Sequence, residues 1–241
     1  MDIRPLPNFL LIDLDDTILS YSAAGDQCWE DLCTFFAPQL GNISSDELLS
    51  AINQSRQWFW SDPERHRRGR LDLINSRREI VAMAFDQLNI GNHRIGQELA
   101  DSFTTRREEL AQPFPGSLEA LRTLRDKGIH MGLITNGDAQ FQRPKIRRFG
   151  LEQYFDSILI ESELGVGKPE KRIFLYALRQ LGASPIQAWM VGDNLRLDIQ
   201  PAHELGMDTV WVDYDKKGLP ADSPVVPASI INSLMELLKG P

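Results

Sequence analysis

The stretch that decides the fold is residues 9–19, which read Phe-Leu-Leu-Ile-Asp-Leu-Asp-Asp-Thr-Ile-Leu. Four apolar residues lead directly into three carboxylates. A short apolar run that ends at polar residues is typical of a buried strand in a parallel sheet. Buried carboxylates are costly unless they are paired or bind a metal, and open α/β sheets bind ligands at the carboxyl ends of their strands. The stretch therefore predicts a functional site at this strand end.

The alternative for this stretch is an ordinary polar strand end, in which Asp16 or Thr17 serves only as a turn or cap residue. If the extended conformation persists, Asp13 and Asp15 point to the same face of the sheet, because side chains alternate along a strand. Short motifs arise easily by chance, so the rest of the chain has to distinguish the two interpretations.

The bulk composition is that of an ordinary globular protein. The chain has 241 residues, enough for one large or two small domains, with 42% hydrophobic and 25% charged residues. The net charge of −8 argues against a general nucleic-acid binder, which needs a basic face to meet phosphates. Two cysteines, Cys28 and Cys33, are too few for a disulfide framework or a zinc quartet, and they are expected to be free thiols.

The location is predicted from what the sequence lacks. No apolar stretch is long enough for a membrane span, and residues 1–5 lack the charged start and apolar centre of a signal peptide. We therefore expect a soluble, cytoplasmic protein with no membrane or nucleic-acid partner, either a monomer or a homodimer.

The first half of the chain, residues 22–111, follows a helical pattern. Residues 44–47 have the composition of a helix cap with an acidic first turn, and Pro63 is expected to end that helix. Residues 56–70 form a basic, aromatic stretch, and most of its charged side chains are expected on a solvated face while Trp58 and Phe59 pack between helices. The alternative is that one or two of these side chains reach the leaving group of a substrate.

The second half alternates short apolar strands with helices, which predicts right-handed βαβ units and a parallel sheet. We predict an α/β fold: a Rossmann-like parallel sheet core, residues 1–21 and 112–241, with an inserted α-helical cap domain, residues 22–111. An insertion at the ligand end of a sheet is well placed to act as a lid. The predicted strands after the first are 130–134, 157–160, 188–191 and 209–212. The predicted helices are 117–127, one that ends at Phe149-Gly150, 170–181, 195–205 and 228–239.

Polar residues follow the ends of four predicted strands, and in a parallel sheet these ends face one crevice. Carboxylates suit Mg²⁺, and a lysine can neutralise a phosphate and a nucleophile together. The hydroxyl of Thr135 and the backbone N–H groups of Asn136 and Gly137, at a helix start, are expected to form an anion site. Each motif alone has an ordinary interpretation as a solvated lysine, a turn or an N-cap, but their succession favours a phosphoryl site. The residues are Asp13, Asp15, Thr135, Asn136, Gly137, Lys168, Asp193, Asn194 and Asp198.

The motifs resemble those of the haloacid dehalogenase superfamily of phosphotransferases. Residues 13–17, Asp-Leu-Asp-Asp-Thr, resemble its first motif, and residues 135–137, Thr-Asn-Gly, its second. Lys168-Pro169 resembles the third motif, and Gly192-Asp193 with Asp198 the fourth. The helical insertion resembles the C1 cap of one subfamily, in the branch with nucleotidase-like and N-acylneuraminate 9-phosphatase-like enzymes.

The resemblance implies a role for each catalytic residue. Asp13 would be the nucleophile that attacks phosphorus and becomes an aspartyl phosphate. Asp15 would be the general acid for the leaving alcohol and then the base that activates water. Thr135 and the amide of Asn136 would hold phosphate oxygens, while Lys168 would orient Asp13 and offset charge in the transition state.

The resemblance also implies a Mg²⁺ cofactor. Asp13, the backbone carbonyl of Asp15, and Asp193 would be its ligands, with Asp198 and Asn194 near the ion without direct contact. The function expected on this basis is Mg²⁺-dependent hydrolysis of a phosphate monoester of a small metabolite.

Three other functions stay open. A 2-haloacid dehalogenase is disfavoured by Asp15, because halide leaves without a proton and an alkoxide does not. A phosphomutase would return the phosphoryl group to its product. A binding module without catalysis would have no use for a nucleophile beside a general acid.

Overall fold

The computed structural model describes residues 6–239 and divides into two compact units. The core unit comprises the chain up to Ser20 and from Gln112 onward, and the helical unit is Tyr21–Ala111. Residues 1–5, on which the prediction about a signal peptide rests, lie outside the described residues. Between residues 6 and 239, no helix is both long enough and apolar enough to traverse a bilayer.

The core unit contains a six-stranded, fully parallel sheet, in the order β5-β4-β1-β6-β7-β8, which confirms the predicted α/β core. A separate two-stranded antiparallel pair, β2 and β3, lies where the chain leaves and re-enters the unit. The strands are β1 (Phe9–Ile12), β2 (Leu19–Ser20), β3 (Gln112–Pro113), β4 (His130–Thr135), β5 (Ser157–Ile160), β6 (Ala188–Gly192), β7 (Asp208–Val212) and β8 (Ser229–Ile231).

The register of the sheet explains where the site forms. Ile12 of β1 is level with Leu133 of β4 on one side and with Val191 of β6 on the other. The Asp13 N–H donates to the Val191 carbonyl at 3.0 Å. Parallel strands in this register end at one edge of the sheet, so the polar residues that follow each strand come together there.

The helical unit consists of five helices around its own apolar core. Trp29 and Phe103 stack at its centre with ring centroids 3.8 Å apart. Ser44 caps the second helix in a capping box with Glu47, as the sequence indicates. The helices are α1 (Ser22–Phe36), α2 (Ser45–Ser61), α3 (Pro63–Leu71), α4 (Leu73–Gln87) and α5 (His93–Leu110), with a 3₁₀ turn at Ala37–Gln39.

Side chains of the basic, aromatic stretch, residues 56–70, contact other residues of the helical unit. The Arg65 guanidinium lies 3.8 Å from the centroid of the Trp58 ring, and Arg68 pairs with Glu79 on an exposed surface. Phe59 is buried as expected, but Trp58 is 50% exposed, so the expectation that it packs between helices is wrong. The Arg65 guanidinium, from the following helix, stacks on this half-exposed ring as a cation–π contact.

The helices of the core unit cover both faces of the sheet. Because side chains alternate across a strand, Leu10 and Ile12 pack with Leu121 on one face, whereas Leu11 packs with Phe174 on the other. The helices are α6 (Ser117–Asp126), α7 (Ala139–Arg148), α8 (Glu161–Leu164), α9 (Lys171–Leu181) and α10 (Gln200–His203). A π-helical turn, Leu195–Ile199, precedes α10, and 3₁₀ turns lie at Leu151–Tyr154, Pro185–Gln187 and Leu234–Lys239.

The carboxyl-terminal segment differs from the sequence-based prediction. The sequence predicts one amphipathic helix over residues 228–239, but Ser229–Ile231 forms β8, and only Leu234–Lys239 is helical, as a 3₁₀ turn. The backbone of Ser229–Ile231 pairs with Val210–Val212 of β7. Two adjacent isoleucines fit a strand at least as well as a helix, and pairing with the sheet decides between them.

Candidate active site

The site is built on an ion pair at the end of β1. Lys168 Nζ lies 2.5 Å from Asp13 Oδ1 and 2.6 Å from Asp198 Oδ1. All three side chains are buried, with Lys168 only 3% exposed. A buried ammonium needs such partners, because leaving a single charge in an apolar interior is strongly unfavourable.

Asp198 is held close to the strand end by the π-helical turn. Its Oδ2 accepts the Asn194 N–H at 3.0 Å. A Cβ atom at Gly192, the last residue of β6, would lie 2.6 Å from Asp198 Cγ, so glycine is required for this approach. Asn194 caps the turn: its Oδ1 accepts the N–H groups of Arg196 and Leu197 at 3.1 and 3.0 Å.

Thr17 connects the ends of β1 and β6. Its Oγ1 lies 3.2 Å from both Asp13 Oδ2 and Asp193 Oδ1, and it accepts the Asp193 N–H at 3.1 Å. Trp211 Nε1 of β7 donates to the Asp193 carbonyl at 2.6 Å. Thr17 appears in the sequence motif, but its role as a link between two strand ends is visible only in the structure.

The turn after Asp15 is made by Asp16. Its φ is 61°, in the left-handed region that aspartate tolerates better than most side chains. Its N–H donates to the Leu19 carbonyl at 2.6 Å, which closes the turn.

The electrostatics of the cluster favour a cation. Burial raises the pKa of the Asp13 carboxyl to about 7; Lys168 opposes this shift, and Asp198 and Asp15 reinforce it. Burial also raises the pKa of Asp193 well above its usual value, with Asp13 and Asp198 adding to the effect. Burial alone lowers the pKa of Lys168, but the carboxylates of Asp13 and Asp198 outweigh burial and hold that pKa above its usual value. Repulsion among the neighbouring carboxylates thus adds to burial in raising the pKa values of Asp13 and Asp193, and a bound cation would relieve it.

The same carboxylates have the geometry of a metal-binding group. One oxygen from each of Asp13, Asp193 and Asp198 lies within 4.8 Å of the others. Hard divalent cations such as Mg²⁺ prefer oxygen ligands of this kind. The carboxylate oxygens of Asp13, Asp193 and Asp198 therefore fit a magnesium ion. Of the three, Asp198 is also paired with Lys168.

Asn136 holds the loop that contains Lys168. Its side-chain amide donates to the Lys168 carbonyl at 2.8 Å, and its Oδ1 accepts the Lys168 N–H at 2.7 Å. These two bonds hold the backbone of Lys168 beside the end of β4. The side chain of Asn136 thus acts on Lys168, a role that the sequence analysis did not assign.

Gly137 differs from its expectation as a phosphate-binding amide. Its N–H donates to Glu161 Oε2 at 2.9 Å, so this amide is directed at a carboxylate. Glu161 is buried against Gly167, where a Cβ atom would lie 2.4 Å from the Glu161 carboxyl carbon. Sequence reasoning missed Glu161, because a glutamate at the start of a short helix reads as an ordinary N-terminal acidic residue.

Asp15 has its own cationic partner. Lys145 Nζ of α7 lies 2.6 Å and 2.8 Å from the two carboxylate oxygens, and Gln142 Nε2 donates to Oδ2 at 2.9 Å. Neither Lys145 nor Gln142 belongs to a motif recognised in the sequence. The available signal was the spacing of three between a glutamine and a lysine, which places them on one face of a helix that follows the Thr-Asn-Gly motif.

The chain is similar to known proteins over most of its length. A model of the haloacid dehalogenase-like hydrolase family matches residues 8–206. The chain is 36% identical over 229 residues to the glyceraldehyde 3-phosphate phosphatase of Methanocaldococcus jannaschii, with 95% of this chain and 94% of the relative covered. It is 28% identical over 233 residues to the pyrimidine 5'-nucleotidase YjjG of Escherichia coli, with 95% and 96% covered.

Among solved structures, the HAD-hydrolase YfnB from Bacillus subtilis bound to magnesium has a similar fold. The TM-score is 0.73 at 24% sequence identity, and 96% of each chain is covered.

Proposed function

The chain belongs to the haloacid dehalogenase-like hydrolase family, and from this premise we propose that it is a Mg²⁺-dependent phosphatase of a small phosphorylated metabolite. The observation that carries the proposal is the pairing of two carboxylates with two lysines at one strand end. Asp13 faces Lys168 at 2.5 Å, and Asp15 faces Lys145 at 2.6 Å. This arrangement provides a nucleophile and a separate proton-transfer group.

In the first step, a carboxylate oxygen of Asp13 attacks phosphorus. The new O–P bond forms as the bond to the leaving oxygen breaks, and Asp15 gives its proton to that oxygen, so an alcohol departs. Lys168 faces the attacking carboxylate and offsets negative charge that builds on the phosphoryl group. The product is an aspartyl phosphate on Asp13.

In the second step, water attacks the phosphorus of the aspartyl phosphate. Asp15, now a carboxylate, takes a proton from that water, and the O–P bond to Asp13 breaks. Inorganic phosphate leaves, Asp13 is again a carboxylate, and Asp15 is again protonated. The two steps use one side chain first as acid and then as base.

Phosphate oxygens are proposed to bind the Thr135 hydroxyl and the backbone N–H of Asn136. Thr135 is buried at the end of β4 and Asn136 is the next residue, so both lie at the edge of the sheet where Asp13 and Asp15 follow β1. Gly137 is not included, because its N–H already donates to Glu161.

Mg²⁺ is proposed to bind Asp13, Asp193 and the backbone carbonyl of Asp15. When bound, the ion supplies positive charge that neutralises phosphate oxygens and orients them. Asp198 remains engaged with Lys168 and the Asn194 N–H, so its role in the proposal is to support the cluster beside the ion.

We propose that residues 22–111, which lie within the helical unit, act as a cap and select the substrate. The Methanocaldococcus and Escherichia relatives are named for reactions on small phosphate esters, and we propose a substrate of that class. The dehalogenase alternative leaves Asp15 without a function, because halide departs without a proton.

The test is phosphate release from a panel of nucleotides, sugar phosphates, triose phosphates and phosphoglycolate, with and without Mg²⁺. We expect at least one ester to be hydrolysed only with Mg²⁺, and Asp13→Asn to lower kcat by at least about 10³-fold, since the variant lacks the nucleophile. The exposed Asp222→Asn is the matched control. Full activity of Asp13→Asn, or no hydrolysis of any ester, would refute the proposal, and phosphoryl transfer back to product would indicate a mutase.

A further inference from the structure

Two buried polar side chains of α7 lie outside the motifs described so far. Gln142 and Lys145 are 4% and 3% exposed, and their spacing of three places them on one face of the helix. A buried lysine is strongly unfavourable unless it is paired and hydrogen-bonded. The burial of both side chains therefore indicates that they have specific partners.

Lys145 donates hydrogen bonds to both carboxylate oxygens of Asp15. The distances from Nζ are 2.6 Å to Oδ1 and 2.8 Å to Oδ2. The Asp15 side chain is 22% exposed, so part of it remains accessible although Lys145 contacts both carboxylate oxygens. Contact with both oxygens restricts rotation of the carboxyl group.

Gln142 connects Asp15 to the phosphate-binding end of β4. Its Nε2 lies 2.9 Å from Asp15 Oδ2, 2.7 Å from Thr135 Oγ1 and 2.8 Å from the Asn136 carbonyl. The orientation of the amide is determined by these acceptors, because exchanging its oxygen and nitrogen would place an oxygen against a carboxylate and a carbonyl.

The bond from Gln142 also orients the Thr135 hydroxyl. Because Oγ1 accepts the amide proton, its own proton points elsewhere. Its contact with the Asn136 carbonyl is long, 3.4 Å, so the proton remains available for a stronger acceptor such as a phosphate oxygen.

We propose that Gln142 and Lys145 are positioning residues that hold the Asp15 carboxyl group and the Thr135 hydroxyl in one fixed relation, so that a bound phosphate ester meets both at once. This inference rests on the proposed phosphatase function and assigns to α7 a part that none of the four sequence motifs contains. Lys145 acts through Asp15 on the leaving oxygen, and Gln142 acts mainly through Thr135 on the phosphate.

The two roles predict different kinetic signatures. Misplacing a catalytic group by about 1 Å costs on the order of 10²-fold in rate, and general acid catalysis contributes roughly 10²–10⁴-fold. An alkoxide needs the proton of Asp15 to leave, whereas 2,4-dinitrophenolate leaves without one. A defect in the position of Asp15 therefore depends on the leaving group.

The first test compares Lys145→Met with wild type on two substrates, the best alkyl phosphate of the panel and 2,4-dinitrophenyl phosphate, in single-turnover and burst experiments. We expect the first step to slow by about 10²-fold for the alkyl ester and to stay within about 3-fold for the dinitrophenyl ester. Because water attack also needs Asp15, the variant should release a burst of one equivalent of dinitrophenolate and then turn over slowly.

Two further variants serve as controls for this comparison. Arg147→Met removes one charge from an exposed position of the same helix and should leave both first steps unchanged. Lys145→Arg keeps the charge and should recover part of the alkyl-ester rate. If Lys145→Met does not fold, Lys145→Gln takes its place in the same comparison.

The second test measures binding of inorganic phosphate to Gln142→Leu. We expect its Kd to rise about 10-fold, because the Thr135 hydroxyl that is no longer held by Gln142 forms a weaker hydrogen bond to the phosphate. The dependence on the leaving group should stay closer to wild type than in Lys145→Met. The exposed Gln140→Leu is the matched control.

The outcomes separate this inference from the proposed function. If wild type hydrolyses esters but Lys145→Met slows both leaving groups equally, or Gln142→Leu binds phosphate as wild type does, the positioning role is overturned. If wild type hydrolyses no ester, the proposed function itself fails, and the positioning role fails with it.

Discussion

At the scale of single residues, Thr17 shows how one hydroxyl determines the geometry of two carboxylates. It is fully buried, lies between Asp13 and Asp193, and is the acceptor for the Asp193 N–H. A buried N–H without an acceptor is unfavourable. The threonine of the first motif is therefore as much a structural link between β1 and β6 as a part of the site.

We predict that Thr17→Val lowers the free energy of unfolding by about 1–3 kcal/mol, because valine keeps the shape and leaves the Asp193 N–H without its acceptor. Urea denaturation of the metal-free protein measures this loss. Thr17→Ser keeps the hydroxyl and should lose less. Equal stability of wild type and Thr17→Val would contradict the link.

The raised pKa of Asp13 predicts a pH dependence. Burial raises this pKa from its ordinary value of 3.8 to about 7 in the folded protein, so between these values the folded state binds a proton that the unfolded state has released. The contribution of Asp13 to stability is thus greatest below pH 4 and declines as pH rises toward 7, with a slope of up to about 1.4 kcal/mol per pH unit.

The measurement is urea unfolding of wild type and Asp13→Asn from pH 4.5 to 7.5 in EDTA. Asparagine does not titrate, so the stability of Asp13→Asn relative to wild type should increase with pH across this range. A difference that does not change with pH would show that Asp13 is already ionised throughout.

At the scale of elements, the close approach of the π-helical turn to β6 depends on Gly192. We predict that Gly192→Ala costs about 1–3 kcal/mol of stability, since a Cβ atom 2.6 Å from Asp198 Cγ forces the turn to shift. Activity should fall together with stability, because Asp198 is a partner of Lys168.

Thermal and urea unfolding, with ester hydrolysis on the same samples, provide the measurement for Gly192→Ala. Gly91→Ala is the control, because a Cβ atom there would meet no other atom within 4 Å. If the two variants are equally stable, the approach of Asp198 to β6 does not require glycine.

At the scale of the whole molecule, binding of Mg²⁺ should stabilise the protein. A ligand that binds only the folded state adds about 2.7 kcal/mol at 100 times its Kd, and here it also offsets the excess of carboxylates around Lys168. We predict that Mg²⁺ raises the Tm of wild type and that Asp193→Asn loses most of this rise. Differential scanning fluorimetry with EDTA and graded Mg²⁺ is the measurement.

Asp222→Asn controls for the loss of one acidic side chain at an exposed position. An identical Mg²⁺-dependent rise in Asp193→Asn would place the ion elsewhere. Ca²⁺ at the same concentration tests whether the stabilisation follows from charge alone.

The sequence by itself determined the α/β core. Apolar runs that end in Asp13, Thr135 and Gly192, separated by helical segments, allow few arrangements other than a parallel sheet with its polar ends at one edge. It also indicated the family, because the motifs are short, ordered and chemically specific. The helix predicted over residues 228–239 is wrong, because the local pattern suits a helix, whereas the pairing of Ser229–Ile231 with β7 depends on tertiary contacts.

Only the tertiary structure decided which polar groups meet. Lys145 lies among arginines on α7 and has the appearance of a solvated residue, yet it is buried against Asp15. Gly137 belongs to an anion-binding motif, yet its N–H faces Glu161. The physical reason is that burial and pairing depend on distances between elements far apart in the chain. Residue types and spacing limit the chemistry, and packing selects the partners.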